Sequence, residues 1–258
     1  AIPFAEIKLR RAHAASTQLA RCLGAGEDQA ISLAPVANAT RLAFSPGADG
    51  CRLDLPVGRH RSHGVLMEIP PSGPRDCLTL RSRRNPAGPE RAVIPIGSNF
   101  DSIFIWSSVY YIGREATAAT VRVRYVDGRV DEQVLVVGRD VGDWFDGPDA
   151  LDRGLVGWNG YVSPHGQIPA RVYLAWHHTS QPRTRITEVE FVAAGGDGHL
   201  ILLAMTGRTQ RHGRPPEPVS MGCVGARARR RFAREYRHAL AGMTVPVHLP
   251  LAERALKM

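Results

Sequence analysis

The 258-residue chain lacks the sequence patterns of the common nucleotide-dependent and hydrolytic enzymes. It has no phosphate-binding glycine loop, no G-x-S-x-G nucleophile elbow and no dinucleotide-binding fingerprint. No stretch approaches the roughly 18 uninterrupted apolar residues that a membrane-spanning helix requires, so no membrane span is expected. Wholesale disorder is also excluded, because 43% of the residues are hydrophobic.

Cysteine is scarce, and its spacing carries no metal-binding signature. The four cysteines, Cys22, Cys51, Cys77 and Cys223, lie far apart in the chain. No C-x-x-C pair and no Cys/His cluster has the spacing of zinc ligands. The four thiols permit two disulfides in three connectivities, or none, and no resident cofactor is expected.

Lysine is almost absent, and the basic charge is concentrated near one end of the chain. Lys and Arg together number 33 against 24 Asp and Glu, a net charge of +9, yet Lys8 and Lys257 are the only lysines. Residues 207–258 contain 11 basic and three acidic residues, so the rest of the chain is nearly neutral. The preference for arginine over lysine is a general compositional bias. The concentration of arginine in one segment, by contrast, indicates an anionic partner or surface.

Helix-period segments are missing from residues 51–207, where short β-type runs recur instead. We predict ten strands, at residues 51–55, 64–69, 77–81, 92–96, 102–111, 117–126, 130–137, 170–176, 186–192 and 199–205. Residues 121–125 alternate between apolar side chains and arginine, which is typical of a half-buried strand. Asp127-Gly128 predicts a tight hairpin turn. Ten such strands without intervening helices favour an antiparallel sandwich or jelly roll over βαβ units.

Composition divides the chain into three parts. Residues 1–50 are predicted to wrap over the core, residues 51–207 to form the β-sandwich, and residues 208–258 to form a Pro-rich linker and a basic helical tail. In residues 226–243, apolar side chains recur every three or four positions with arginines off that stripe, which predicts a basic amphipathic helix. This helix either docks by its apolar stripe or binds an anionic partner or a catalytic domain. The predicted fold class is therefore mainly β, with a C-terminal basic amphipathic helix.

Several segments in the middle of the chain resemble a known family. They read VRVRYVDG at 121–128, VLVVGRDVGDWF at 134–145, GLVGWNG at 154–160, VYLAWHHTSQPRTRITEVEFVAAG at 172–195 and LILLAMTG at 200–207. This series resembles the galactose-binding-like β-sandwich accessory domains of bacterial secreted glycoside hydrolases, in which a Y-x-D-G strand leads to a G-R-x-x-x-D-W-W turn. Residues 53–69 and 92–106 resemble the first half of these domains, so the similarity spans residues 53–207.

The resemblance implies a noncatalytic module that binds a poly- or oligosaccharide, or packs beside one, in an extracellular or periplasmic protein. The sequence departs from the family pattern at three turns and strands. Phe145 replaces the second Trp of the D-W-W turn, His177-His178 replace an N-P pair, and Glu188 replaces a serine in the I-x-S-I strand. Sugar contacts of the family at these positions therefore do not carry over residue by residue.

Aromatic side chains on loops are the candidates for saccharide binding. A ring covers the apolar face of a pyranose while neighbouring amides and carboxylates bond its hydroxyl groups. The predicted ligand-binding residues are Trp144 with Asp143, Trp158 with Asn159, Tyr111 beside Tyr110, and His177. The alternative is that both tryptophans close the ends of the sandwich as core side chains.

A small polysaccharide-active enzyme on a jelly-roll scaffold, a glycoside hydrolase or a lyase, is the alternative function. Its candidate catalytic residues are His178 and Asp143. No metal site is predicted, because no H-x-H pair puts two imidazoles on one strand face. Asp140, Asp143, Asp146 and Asp149 recur every three residues, and a structural calcium ion there is the alternative to solvated carboxylates.

Overall fold

The computed structural model describes residues 26–41, 53, 55–145, 147, 150–161 and 169–210, together with Ala15 and Leu19. All of them lie within residues 1–211, the first of the two units into which the chain divides. The described residues form twelve strands: β1 (Gly26–Ile31), β2 (Gly58–Ser62), β3 (Val65–Ile69), β4 (Leu78–Thr79), β5 (Arg91–Ser98), β6 (Ser102–Tyr110), β7 (Thr117–Tyr125), β8 (Val130–Val136), β9 (Leu155–Tyr161), β10 (Pro169–His178), β11 (Ile186–Ala193) and β12 (His199–Gln210).

These strands assemble into three antiparallel sheets. The largest has the strand order β1-β12-β6-β10-β9, with the short β4 paired to β12. A four-stranded sheet has the order β5-β11-β7-β8, and β2 pairs with β3 in a separate hairpin. One of the sheets is curled into a half-barrel. The prediction of a mainly β protein with antiparallel sheets is therefore confirmed.

The central strand β6 of the six-stranded sheet is buried on both faces. Every residue of this strand is buried, and alternate side chains enter two different apolar cores. Ile103 and Ile105 lie in the first core, which this sheet forms with the four-stranded sheet. Phe104 and Trp106 lie in the second core, which contains residues of β3 together with Leu53. Burial on both sides explains why the sequence of β6 is almost continuously apolar.

The four-stranded sheet has one face in the first core and one charged face. On β7, Val121 and Val123 are buried, whereas Arg122 and Arg124 are half-buried on the opposite face. Both arginines form ion pairs with Glu190 of the neighbouring strand β11, at 3.6 and 3.2 Å. Burial acts to raise the pKa of Glu190, but hydrogen bonds from the surrounding arginines hold it below its ordinary value. The predicted alternation of this strand is thus confirmed.

The predicted turn at Asp127-Gly128 joins β7 to β8. Gly128 adopts a φ of 86°, a left-handed conformation that glycine accepts without a steric cost. Its amide donates to the carbonyl of Tyr125 at 3.0 Å, and the Asp127 carboxylate accepts the amide of Arg129 at 3.1 Å. The turn residues therefore set the register of this hairpin.

Strand β9 contains Trp158 and Asn159, which were predicted to lie on a loop, and two glycines, Gly157 and Gly160. A Cβ atom at Gly157 would lie 2.4 Å from the ring of Trp106. At Gly160, the added atom would lie 2.2 Å from the ring of Trp158. The two glycines thus leave space for indole rings that pack against the strand. Packing requires glycine here, although glycine in a sequence is also typical of turns.

Strand positions also differ from the prediction near both ends of the predicted β domain. Within the predicted N-terminal wrap, β1 pairs antiparallel with β12 along its whole length. Leu53 and Leu55, predicted as part of a strand, lie outside the described strands. Arg208, assigned by composition to the tail, is a buried residue of β12, where its guanidinium binds both carboxylate oxygens of Asp28.

The helix predicted over residues 226–243 lies outside the described residues, as does the Pro-rich linker before it. Its binding to an anionic partner or a catalytic domain stays a prediction. Cys22, Cys51 and Cys223 also lie outside the described residues, whereas Cys77 is a buried free thiol whose pKa is raised by burial. Within the described part of the chain, no helix is both long enough and apolar enough to cross a membrane.

Candidate functional site

The turn formed by Asp143, Trp144 and Phe145 lies against the end of β6. The Trp144 amide donates to a β6 carbonyl at 3.0 Å, and the Tyr111 amide donates to Oδ2 of Asp143 at 3.1 Å. Ring contacts connect Tyr110, Tyr111, Trp144 and Phe145, which we call the aromatic cluster. The fold therefore brings together three of the predicted site residues, Tyr111, Asp143 and Trp144.

Exposure differs sharply within the aromatic cluster. Trp144 is only 2% exposed and belongs to the second core. This is the position expected under the alternative interpretation, in which the tryptophans are core side chains. Tyr111 and Phe145 are 58% and 40% exposed. The Arg84 guanidinium lies 4.1 Å from the centre of the Tyr111 ring and covers one of its faces. Only part of this cluster is therefore open to a ligand, and saccharide contact by Trp144 stays a prediction.

Asp143 has an unusual electrostatic position in this turn. Burial raises its pKa to about 6, although its carboxylate accepts the amides of Phe145 at 2.9 Å and of Tyr111 at 3.1 Å. These two hydrogen bonds fix the turn against the end of β6. Near neutral pH the carboxylate is ionised and acts as an acceptor for the backbone.

Because of Asp143, the protein should lose stability as the pH rises from about 4 to about 6. The folded-state pKa of about 6 lies above the ordinary 3.8, so in this window the folded state holds a proton that the unfolded state has released. In Asp143→Asn the fall should be smaller by about 2–3 kcal/mol. Urea unfolding of both proteins at pH 4 and pH 6 measures this difference. Identical pH dependence in the two proteins would contradict the buried position of the carboxyl group.

Trp158 and Asn159 lie on β9, close to the same turn. Asn159 pairs with Arg171 of β10, and the Arg171 amide donates to the Trp144 carbonyl at 2.9 Å. Asn159 is exposed, whereas Trp158 is half-buried and packs against the second core. The two predicted tryptophans therefore both contact the core, and the exposed polar group beside them is the Asn159 amide.

His177 and His178 lie at the opposite end of the six-stranded sheet. His178 pairs with Ser102 at the start of β6, whereas Asp143 lies beside Val109 near its end. Seven residue steps along β6 correspond to roughly 23 Å. The two candidate catalytic residues, His178 and Asp143, are thus too far apart to act on one bond.

Both histidines line a cleft between β8 and β10, which belong to different sheets. This β8–β10 cleft has a volume of about 620 Å³. It is lined by Glu132, Gln133, Val134, Arg139, Arg153, Trp176, His177 and His178. Most of these residues were not predicted as site residues, because nothing in the linear sequence indicates which strands of two different sheets lie opposite each other.

His177 connects the two sheets beside the cleft. Its Nδ1 lies 3.0 Å from Oε1 of Gln133, and its Nε2 lies 3.4 Å from Oδ2 of Asp131. Burial lowers the pKa of His177 although Asp131 opposes this shift, so the imidazole is neutral near pH 7. Burial also acts to raise the pKa of Asp131, but hydrogen bonds from Ser180 and its neighbours bring it below the ordinary value. Asp131 is therefore an ionised acceptor that orients a neutral imidazole.

Two arginines of the cleft share one buried carboxylate. Arg139 donates from Nε to Oδ2 of Asp140 at 2.7 Å and from Nη2 to the Val134 carbonyl at 2.6 Å. The Nε of Arg153 lies 3.9 Å from the other oxygen of Asp140, too far for a hydrogen bond. Arg139 is consequently fixed in place, whereas the Arg153 side chain, 52% exposed, is held among the described residues by this long ion pair alone.

The acidic turn offers no assembled cation site within the described residues. Asp140 is engaged by the two arginines, and Asp143 accepts backbone amides. Asp146 and Asp149 lie outside the described part of the chain. Among the residues that the structure describes, no three His, Cys, Asp or Glu side chains are grouped to hold a metal ion.

Comparison with known proteins identifies no relative of this chain. It matches no protein-family model, no curated protein and no solved structure. The chain is therefore assigned as a mainly β protein with antiparallel sheets. The geometry of the β8–β10 cleft and of the aromatic cluster is what remains to indicate a function.

Proposed function

We propose that this protein is a noncatalytic, carbohydrate-associated β-sandwich module that binds a saccharide in the β8–β10 cleft. The observation that carries this proposal is the cleft itself. Its volume of about 620 Å³ lies in the range of roughly 300–1,000 Å³ that is usual for small-ligand sites. Such a cleft accepts a saccharide of about one to three rings.

The groups around the cleft suit a ligand that has many hydroxyl groups. Gln133 supplies an amide donor and acceptor, Glu132 supplies carboxylate oxygens, and Arg153 supplies several N–H donors. Trp176, which is 8% exposed, contributes a small apolar surface beside His177 and His178. Donors, acceptors and an aromatic edge in one cleft are the combination by which proteins bind sugars.

The resemblance to galactose-binding-like accessory domains of secreted glycoside hydrolases supports the same proposal. In that interpretation the sandwich has a jelly-roll form, the protein is extracellular or periplasmic, and a poly- or oligosaccharide is its partner. His177, one of the predicted ligand-binding residues, lines the cleft. The exposed rings of Tyr111 and Phe145 are the alternative position for the same function.

A binding experiment with product detection tests this function. The full chain is incubated with soluble and insoluble polysaccharides, and both retention and the release of reducing or unsaturated ends are measured. We expect retention without product, and a loss of affinity of about tenfold in His178→Ala. His60→Ala, on the separate β2–β3 hairpin, is the matched control and should bind normally. Retention that depends on Tyr111 instead of His178 would move the site to the aromatic cluster.

A second candidate function, a polysaccharide-active enzyme, is favoured by the His177–Asp131 pair. A carboxylate 3.4 Å from an imidazole nitrogen is the arrangement that orients a general base. Release of new sugar ends by the wild-type chain, abolished in His177→Ala with the fold retained, would establish catalysis. That result would overturn the noncatalytic part of the proposal.

A further inference from the structure

The lining of the β8–β10 cleft contains two arginines and one glutamate, whose ion pairs differ in length. Arg139 and Arg153 share the single carboxylate of Asp140, so one of the two positive charges is left without a full counter-charge. The acidic residue that lines the cleft, Glu132, is paired with Arg122 at 2.8 Å. The ion-pair partner of Glu132 is thus Arg122 and not an arginine of the cleft lining.

A further carboxylate, Asp131, lies beside the cleft but is not part of its lining. Asp131 accepts the amide of Ser180 at 2.7 Å and faces the ring of His177 at 3.4 Å. His177 itself is neutral near pH 7 and contributes no charge. Among the charged side chains that line the cleft, Arg153 is therefore the one with the longest ion pair, at 3.9 Å.

We propose that the β8–β10 cleft selects an acidic saccharide, and that Arg153 binds the sugar carboxylate. This inference rests on the proposed function and specifies its ligand class. The guanidinium is half-exposed and lies on the cleft lining, so a carboxylate can approach it without displacing a buried partner. Arginine presents a planar fork of N–H groups that matches a carboxylate.

Arg139 cannot take this role, although it lines the same cleft. Its Nε donates to Asp140 at 2.7 Å and its Nη2 donates to the Val134 carbonyl at 2.6 Å, so two of its N–H groups are already committed. For the terminal amino groups of Arg153, the structure records no partner among the described residues. Arg139 therefore stabilises the cleft through its bonds to Asp140 and Val134, whereas Arg153 is available for a ligand.

The remaining lining residues favour a sugar over a simple anion. Gln133 and Trp176 carry no charge and lie along the same cleft as Arg153. A ligand that combines one carboxylate with several hydroxyl groups, such as a uronic acid residue, uses both the charge and the neutral groups. An inorganic anion would use the charge alone.

Calorimetric titration of the full-length chain tests this selectivity. The probes are a uronic acid oligomer, a neutral oligomer of the same length and linkage, and inorganic phosphate. We expect the acidic oligomer to bind about tenfold more tightly than the neutral one, with an affinity that falls as salt is added. In Arg153→Gln this preference should disappear, because the affinity for the acidic oligomer falls to that for the neutral one. Arg59→Gln is the matched control and should retain the preference, since Arg59 is also an exposed arginine in an ion pair but lies on the β2–β3 hairpin.

The outcomes separate this inference from the proposed function. Equal affinity for the acidic and the neutral oligomer would overturn acidic selectivity and leave saccharide binding intact. Phosphate that binds as tightly as the acidic oligomer would overturn the sugar component, since the charge alone would then explain binding. Absence of binding to either oligomer would overturn the proposed function itself.

Discussion

Replacement of Asp76 by alanine is expected to lower the free energy of unfolding by about 3–5 kcal/mol. Asp76 and Arg41 form an ion pair at 2.8 Å in which both side chains are 2% exposed. The Asp76 carboxylate also accepts the Arg41 amide at 2.7 Å. Without the carboxylate, the Arg41 guanidinium is a buried positive charge that has lost its counter-charge. Urea unfolding at pH 7 measures the loss as a lower transition midpoint at an unchanged slope.

Glu68→Ala is the matched control for this substitution. It also removes a carboxylate from an ion pair with arginine, at 3.0 Å from Arg59, but the two side chains are 44% and 67% exposed. Exposed pairs of this kind contribute at most about 1 kcal/mol, because water screens the charges. Equal losses in Asp76→Ala and Glu68→Ala would contradict the assignment of the Arg41–Asp76 pair to the interior.

Replacement of Trp106 by alanine is also expected to lower the free energy of unfolding, by about 3–5 kcal/mol. The indole is fully buried in the second core, and its loss leaves a cavity that the surrounding strands cannot close. Unfolding by urea again measures the effect. Trp106→Phe keeps most of the ring and should cost clearly less. A similar cost for phenylalanine and alanine would show that the second core does not pack tightly around this side chain.

The Trp106 ring also explains what is expected at Gly157. An added Cβ there would lie 2.4 Å from the ring, so Gly157→Ala should destabilise the protein by about 1–3 kcal/mol. At Gly113 no atom lies within 4 Å of the added Cβ, and Gly113→Ala is the matched control. In the Trp106→Ala background the cost of Gly157→Ala should largely vanish, because the clashing ring is gone. Additive effects of the two substitutions would contradict this contact.

Local patterns predicted several elements of the antiparallel sheets correctly. The alternation of residues 121–125 identified a strand with one buried face, and Asp127-Gly128 identified the turn that follows it. These features depend on a few neighbouring residues, so they can be read without knowledge of the rest of the fold. Strand β9 was not predicted, because its glycines are not typical of a strand. Gly157 leaves space for the ring of Trp106 on β6, and Gly160 leaves space for the ring of Trp158 on β9 itself.

The candidate site could be predicted only in part. Tyr111, Asp143 and Trp144 were each proposed as ligand-binding residues, and the structure places them together because hydrogen bonds join the turn to the end of β6. His177 and His178 were recognised as candidates without the residues that surround them. Gln133 and Arg153 approach the histidines from distant parts of the chain, and no spacing in the sequence records that approach.

By itself, the sequence determined the class of protein, the alternation of its strands and the uneven distribution of its charge. Hydrophobic periodicity and turn chemistry act over a few residues, and they suffice for that level of description. The tertiary structure decided which aromatic side chains are buried and which charged side chains share an ion-pair partner. Trp144 is a core residue while Arg153 faces a cleft, and both facts follow from strands of different sheets packing together. Burial and charge pairing depend on such long-range contacts, which a linear pattern does not contain.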